Sequence, residues 1–225
     1  CFAVGGTAFS LTRRARRDVF RREGLAVVGL GWLLAGVVGA LPYLFTGTLA
    51  SFHDAYFESI SGFTTTGSTV LVDLEAVAPS VLVWRGETQW LGGMGIVLLF
   101  LAILPYLSGV GGKQLYRNEV PGPVPEGLRP RIAATAATLW AIYVGLTTIL
   151  TFLLWLEGLG FYDALVHAFG TMSTGGFSNR NASVAGFDNL LIESTILVFM
   201  VLSGTNFALY YRWLRGARDA LIKDA

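Results

Sequence analysis

The stretch Ser59–Val70, SISGFTTTGSTV, decides how this chain is read. It sets threonines and glycines, with no formal charge from Ile60 to Val72, between strongly apolar runs. The 225-residue chain is 53% hydrophobic and 14% charged, whereas soluble domains carry about 25% charged residues. Four uncharged runs account for the shortfall: Gly24–Phe45, Thr88–Leu107, Ile132–Leu156 and Ser194–Tyr211. About 20 apolar residues at ~1.5 Å rise cross a ~30 Å hydrocarbon core. Each run is long enough to do so, the last with help from its flanks. One such run would fit a buried soluble helix; four in a chain this small predict a membrane protein.

Charge gives the expected orientation. Arg13, Arg14, Arg16, Arg17, Arg21 and Arg22 precede the first run; Lys113, Arg117, Arg129 and Arg131 separate the second from the third. Arg212, Arg215, Arg218 and Lys223 follow the fourth, leaving only Arg85 and Arg180 for the other side. Because positive residues stay cytoplasmic, both chain ends and the central loop are expected in the cytoplasm. The net charge of +1 gives no case for nucleic acid, and the single Cys1 excludes an intrachain disulfide. The opening CFAVGGTAFSL reads as the tail of an earlier apolar helix, so the expectation is a chain that continues beyond both ends.

The two outward connections, about 46–87 and 157–193, superimpose without a gap at an offset of 109 residues. Phe52 meets Phe161, Asp54 meets Asp163, Thr65 meets Thr174 and Gly67 meets Gly176. An internal repeat of this kind governs the fold. Each copy reads as span, re-entrant segment, span, and both keep one orientation because an even number of spans separates them. Within each connection a short helix is expected, from Asp54 as N-cap through AYFESISGF and from Asp163 through ALVHAFGTM. About ten residues give ~15 Å, half a bilayer, so such a helix dips and returns.

The return legs are then TTTGSTV and STGGFSN. Non-helical backbone is tolerated at membrane depth only where protein buries it or water fills a cavity beside it. Glycine permits positive φ, so neighbouring carbonyls can face one way. Threonine disfavours helix and offers a hydroxyl. Carbonyls facing a pore can replace the hydration shell of a cation, and the C-terminus of a short helix aimed at the centre favours positive charge. A Gly/Thr-rich exterior loop is the plain alternative for either copy taken alone.

Four stretches carry a family likeness. SGFTTTGSTV, WRGETQWLGGMGIVLLFLAILP, GGKQLYRNEVPGPV and HAFGTMSTGGFSN resemble the Trk/Ktr/HKT potassium-uptake family, in particular its Trk-type membrane subunit. The resemblance covers nearly the whole chain. It implies an all-α membrane protein with two tandem helix–pore-helix/filter-loop–helix repeats, half of a pseudo-fourfold cation pore. The implied division is a basic cytoplasmic segment with the end of a preceding helix (1–23), a first pore repeat (24–107), a connector (108–130), a second pore repeat (131–214) and a tail (215–225). By position, the family's filter residues are Thr64, Thr65, Thr66 and Gly67 in one copy, and Ser173, Thr174, Gly175 and Gly176 in the other, with K+ as the transported ion. In plant relatives a serine at the first filter glycine accompanies sodium preference, so Gly67 points to potassium. The resemblance also implies no bound cofactor, a homodimer, a cytosolic nucleotide-binding regulatory partner and the bacterial inner membrane. With two filter strands missing, this chain alone is not expected to conduct selectively.

Other residues carry two readings each. Glu58, in the column of His167, either bonds the back of the return leg or faces water at the outer mouth. Arg85 can pair with a carboxylate and brace the second span. Asp73, Glu75 and Glu87 form either a cation-attracting vestibule or a solvated loop. His53 and His167 lie one column out of register, and no Cys or carboxylate cluster supports a metal, so structural or surface roles are expected. GGMG at Gly92–Gly95 allows close helix approach. The tryptophans Trp32, Trp84, Trp90, Trp140, Trp155 and Trp213 fall in or beside the spans, several as interfacial anchors. Pro42 is expected to kink or end the first span. Asn206 either bonds a neighbouring helix or faces the cavity beneath the filter.

Two other functions compete with a pore. A secondary carrier would show broken helices with charges inside the spans, and the apolar runs are free of charge. An intramembrane hydrolase would rest on Ser173 and His167, but TMSTG lacks the first glycine of a nucleophile elbow and no acid partner is evident. No catalytic residue is therefore expected.

Overall fold

The computed structural model describes residues 21–107, 128–205, 207, 209 and 210. Among these residues the secondary structure is helical, without strands: α1 (Arg21–Phe45), α2 (Phe52–Phe63), α3 (Pro79–Leu107), α4 (Leu128–Leu156), α5 (Phe161–Met172), a 3-10 turn (Ser183–Phe187) and α6 (Leu190–Gly204). The chain falls into two compact units, Cys1–Gly31 and Trp32–Ala225. Of the first, the described residues are the opening turns of α1. The second holds the rest of α1 and every other element.

The order long helix, short helix, long helix occurs twice, as the 109-residue offset predicts. α2 and α5 have 12 residues each, about 18 Å of helix, too short to cross a ~30 Å core. Val28–Phe45 and Ala136–Leu156 are long and apolar enough to cross a membrane; Leu190–Gly204 is apolar but shorter. The long helices carry exposed apolar faces: Leu33, Leu34 and Val37 on α1, Ile149 and Phe152 on α4, Leu197 and Val201 on α6. Apolar surface on this scale marks contact with lipid or with other protein.

Several helix ends depart from the sequence expectation. α3 starts at Pro79, well before Thr88. Proline suits a first turn, where its missing N–H has no partner to lose, and the Ala78 carbonyl accepts from Val81 N at 2.9 Å. Arg85 and Glu87 therefore lie inside this helix, so the second span is not charge-free. α6 starts at Leu190 instead of Ser194 because Asn189 caps it, its side chain accepting from Leu191 N at 3.0 Å. Neither Asp54 nor Asp163 is an N-cap. Ser51 and Gly160 hold those positions, and both aspartates sit in the first turn, where the helix dipole favours negative charge. Pro42 lies inside α1, which ends at Phe45. Cys1–Leu11, Arg13, Arg14, Arg16, Arg17, the central-loop residues 108–127, Asn206 and the C-terminal basic cluster lie outside the described residues.

Two cores stabilise the second unit. A small one gathers Ala40, Tyr43, Ala55 and Val81 around α2. A larger one joins Met94, Leu139, Tyr143, Leu150, Leu154, Ala164, Ala168, Met172, Ile192, Ile196 and Phe199 around α5. α3 runs between the two short helices. A Cβ on Gly92 would strike the Phe63 carbonyl at the end of α2, and one on Gly93 would come within 2.9 Å of Ser173 Cα at the end of α5. The GGMG segment thus packs the two short helices against one long one. Trp84 and Trp90 are bonded within the protein, to the Gly39 carbonyl and to Thr147 Oγ1, both at 3.0 Å, whereas Trp155 is 52% exposed.

Candidate functional site

Both short helices end in one motif. After the cap Thr64, Thr65 takes φ 55°; after the cap Ser173, Thr174 takes φ 54°. In the first copy Thr65 N donates to Gly62 O and Thr66 N to Ser61 O, both at 2.9 Å. In the second, Thr174 N donates to Thr171 O at 3.0 Å and Gly175 N to Gly170 O at 3.1 Å. These paired bonds make a Schellman ending. It normally uses glycine, because a β-branched residue at positive φ is strained by about 1–2 kcal/mol. Two threonines at matched positions carry that strain. Two residues further on, Gly67 and Gly176 have φ 77° and 82°.

The motif leaves the backbone one-sided. The N–H groups of Thr64, Thr65 and Thr66, and of Ser173, Thr174, Gly175 and Gly176, all point back to helix carbonyls. Among the described residues no hydrogen bond reaches the carbonyl of any residue in Thr64–Gly67 or Ser173–Gly176. Residues of positive φ alternate with residues of negative φ, a pattern that lets successive carbonyls face one side. The hydroxyls of the two cap residues do not share this freedom. Thr64 Oγ1 donates to Ile60 O at 2.7 Å and Ser173 Oγ to Phe169 O at 2.8 Å. The two legs also meet: a Cβ on Gly67 would collide with the Gly175 carbonyl.

Behind the first leg, Glu58 is fully buried. Its carboxylate accepts from Thr69 Oγ1 at 2.8 and 3.0 Å, from Val70 N at 2.9 Å and from Arg85 Nε at 2.6 Å. Of its two readings, bonding the return leg is the one observed. Arg85, 2% exposed, also donates from Nη1 to Ser178 O at 2.8 Å and lies 3.5 Å above the Phe177 ring. Gln89, one turn along α3, accepts from Phe177 N at 2.9 Å.

Behind the second leg, His167 occupies the column of Glu58 and is buried. Its Nδ1 is 2.8 Å from the Asp163 carbonyl and its Nε2 2.9 Å from Ser178 Oγ. A carbonyl only accepts, so Nδ1 donates, and in the neutral ring Nε2 accepts from the serine. Ser178 is the column mate of Thr69, so each copy anchors the same hydroxyl with a different partner. The Asp163 carboxylate receives Asn179 Nδ2 at 2.6 Å and Arg180 Nη2 at 2.8 Å. Burial raises its pKa, but these two donors outweigh burial and hold it below the usual carboxylate value.

On the outer loop, Asn181 accepts from Leu74 N at 2.8 Å and donates to Asp73 Oδ1 at 2.9 Å. The Asn181 bond is the main cause of a lowered Asp73 pKa. His53 is exposed, and the described residues hold no group of three or more His, Cys, Asp or Glu that could take a metal. The threonine strain and the Arg85 and Gln89 bonds to the second copy were missed by sequence reasoning. Their only sequence signal was a polar pair spaced i, i+4 beside an apolar run.

The chain is similar to proteins of one kind. It is 46% identical over 216 residues to the Trk system potassium uptake protein TrkH of Salmonella typhimurium, covering 95% of this chain and 44% of that protein. It is 37% identical over 214 residues to the Trk system potassium uptake protein TrkG of Escherichia coli, covering 93% and 44%. The crystal structure of the potassium transporter TrkH from Vibrio parahaemolyticus matches with a TM-score of 0.80 at 38% identity, covering 93% of this chain and 42% of that one. The chain thus spans less than half the length of these relatives. The family model for TrkH, cation transport protein, matches residues 1–221, and the chain belongs to that family.

Proposed function

We propose that this chain supplies two of the four strands of a carbonyl-lined filter through which potassium enters the cell across the inner membrane. The observation that carries the reading is the one-sided backbone of Thr64–Gly67 and Ser173–Gly176. Except at Gly67, their N–H groups are tied to the short helices, and no described donor reaches their carbonyls. Free carbonyls can stand in for a cation's hydration shell, and the paired threonine strain fits a functional site. Passage is then dehydration, movement along peptide oxygens and flow down the electrochemical gradient.

The names of the relatives support potassium as the ion. The division 1–23, 24–107, 108–130, 131–214 and 215–225, cytoplasmic chain ends, a homodimer and a cytosolic nucleotide-binding regulatory partner belong to the same proposal. The test joins this chain to the remaining part of the Vibrio parahaemolyticus transporter, reconstitutes it in vesicles and measures K+ and Na+ flux. The unmodified protein passes K+ in preference to Na+, and Gly67→Ser lowers that preference. Flux without preference, or a preference untouched by Gly67→Ser, overturns the reading.

A further inference from the structure

The second return leg is held by a helix that does not belong to its own repeat. Arg85 and Gln89 lie on α3, the closing helix of the first copy. They grip consecutive backbone groups of the second: Gln89 Oε1 takes Phe177 N at 2.9 Å, and Arg85 Nη1 gives to Ser178 O at 2.8 Å. Phe177 seals the contact from below the guanidinium at 3.5 Å. Through Nε, Arg85 simultaneously holds Glu58, which holds Thr69 and Val70 at the end of the first leg. One guanidinium therefore bridges the two legs. The side chain of Gln89 also lies where a Cβ on Gly175 would be, so it fills the space directly behind that carbonyl row.

The offset of 109 puts Ser194 and Val198 on α6 in the columns of Arg85 and Gln89. Ser194 bonds its own helix at Leu190 O, and Val198 is 55% exposed. The clamp is thus built once, between the first copy and the second, and is not a feature of the repeat.

We propose that Arg85 and Gln89 are positioning residues for ion discrimination, setting the second filter strand against the first through this two-point clamp. The proposal rests on the pore reading above. Only a planar fork reaches Glu58 and the Ser178 carbonyl at once. Lysine keeps the charge that Glu58 needs but cannot hold both partners.

The test uses the same joined protein and vesicles, with Arg85→Lys and Gln89→Met, and reads the K+/Na+ flux ratio beside thermal stability. Arg85→Lys is expected to fold and conduct while its K+/Na+ ratio falls about tenfold, the equivalent of one lost charge-assisted bond. Gln89→Met, which keeps volume and removes the acceptor, is expected to lower the ratio several-fold. A lowered thermal stability without a change in ratio, or an unchanged ratio in both variants, overturns the clamp. A parent protein without K+ preference overturns the pore reading instead, so the two failures are distinguishable.

Discussion

The two copies share a backbone and differ in what braces it. The path from short helix to return leg repeats almost residue for residue, including Thr65 and Thr174 at φ 55° and 54°. Behind that path the first copy uses a buried ion pair, Glu58 with Arg85. The second uses an imidazole–hydroxyl contact, His167 with Ser178, and carries its ion pair, Asp163 with Arg180, near the surface. The lesson is that the shared fold keeps the return-leg geometry and leaves the brace free. A buried ion pair adds little net stability over an apolar filling but is costly to break, so the first copy concentrates its risk in one contact.

The sharpest way to break this comparison is to truncate the matched residues. Glu58→Ala leaves Arg85 buried without its carboxylate and is expected to cost about 3–5 kcal/mol, while His167→Ala costs about 1–3 kcal/mol for unmade hydrogen bonds. Denaturant titration in detergent measures both, and equal losses would erase the distinction. The glycines give the next contrast. Gly176→Ala meets open space and pays only for positive φ, about 1–2 kcal/mol, whereas Gly67→Ala also strikes the Gly175 carbonyl, adding about 1–3 kcal/mol.

A smaller effect separates the copies by pH. Asp163, held low by Arg180 and Asn179, stabilises the fold above the usual aspartate value of about 3.9. That stability is lost as the pH falls below it toward the lowered folded value. Asp163→Asn should flatten the acid limb of a stability–pH curve; an unchanged limb would remove Asp163 from the account. The smallest effect is expected for Asn181→Ala on the exposed loop, below about 1 kcal/mol. An NMR titration should find the Asp73 pKa rising toward its ordinary value.

Much of this was legible in the sequence because it is periodic. The 109-residue offset locates both short helices, both return legs and the matched glycines. The same reading placed the start of α3 too late, because apolar length marks where a helix meets lipid and not where its hydrogen bonds begin. It also left Glu58 divided between water and protein, since a lone glutamate on an apolar helix fits both until its partner is known. Threonine strain was invisible because propensity argues against positive φ at Thr65 and Thr174, and the local bonds of the Schellman ending override propensity there.

The sequence by itself determined the order of long helix, short helix and long helix and the position of each return leg, because hydropathy and spacing are local properties of the chain. Only the tertiary structure decided that Arg85 and Gln89 of one copy hold the other, and that Glu58 faces inward. Those bonds join residues 27, 88 and 93 positions apart, and no local pattern encodes contacts that exist only once the helices have packed.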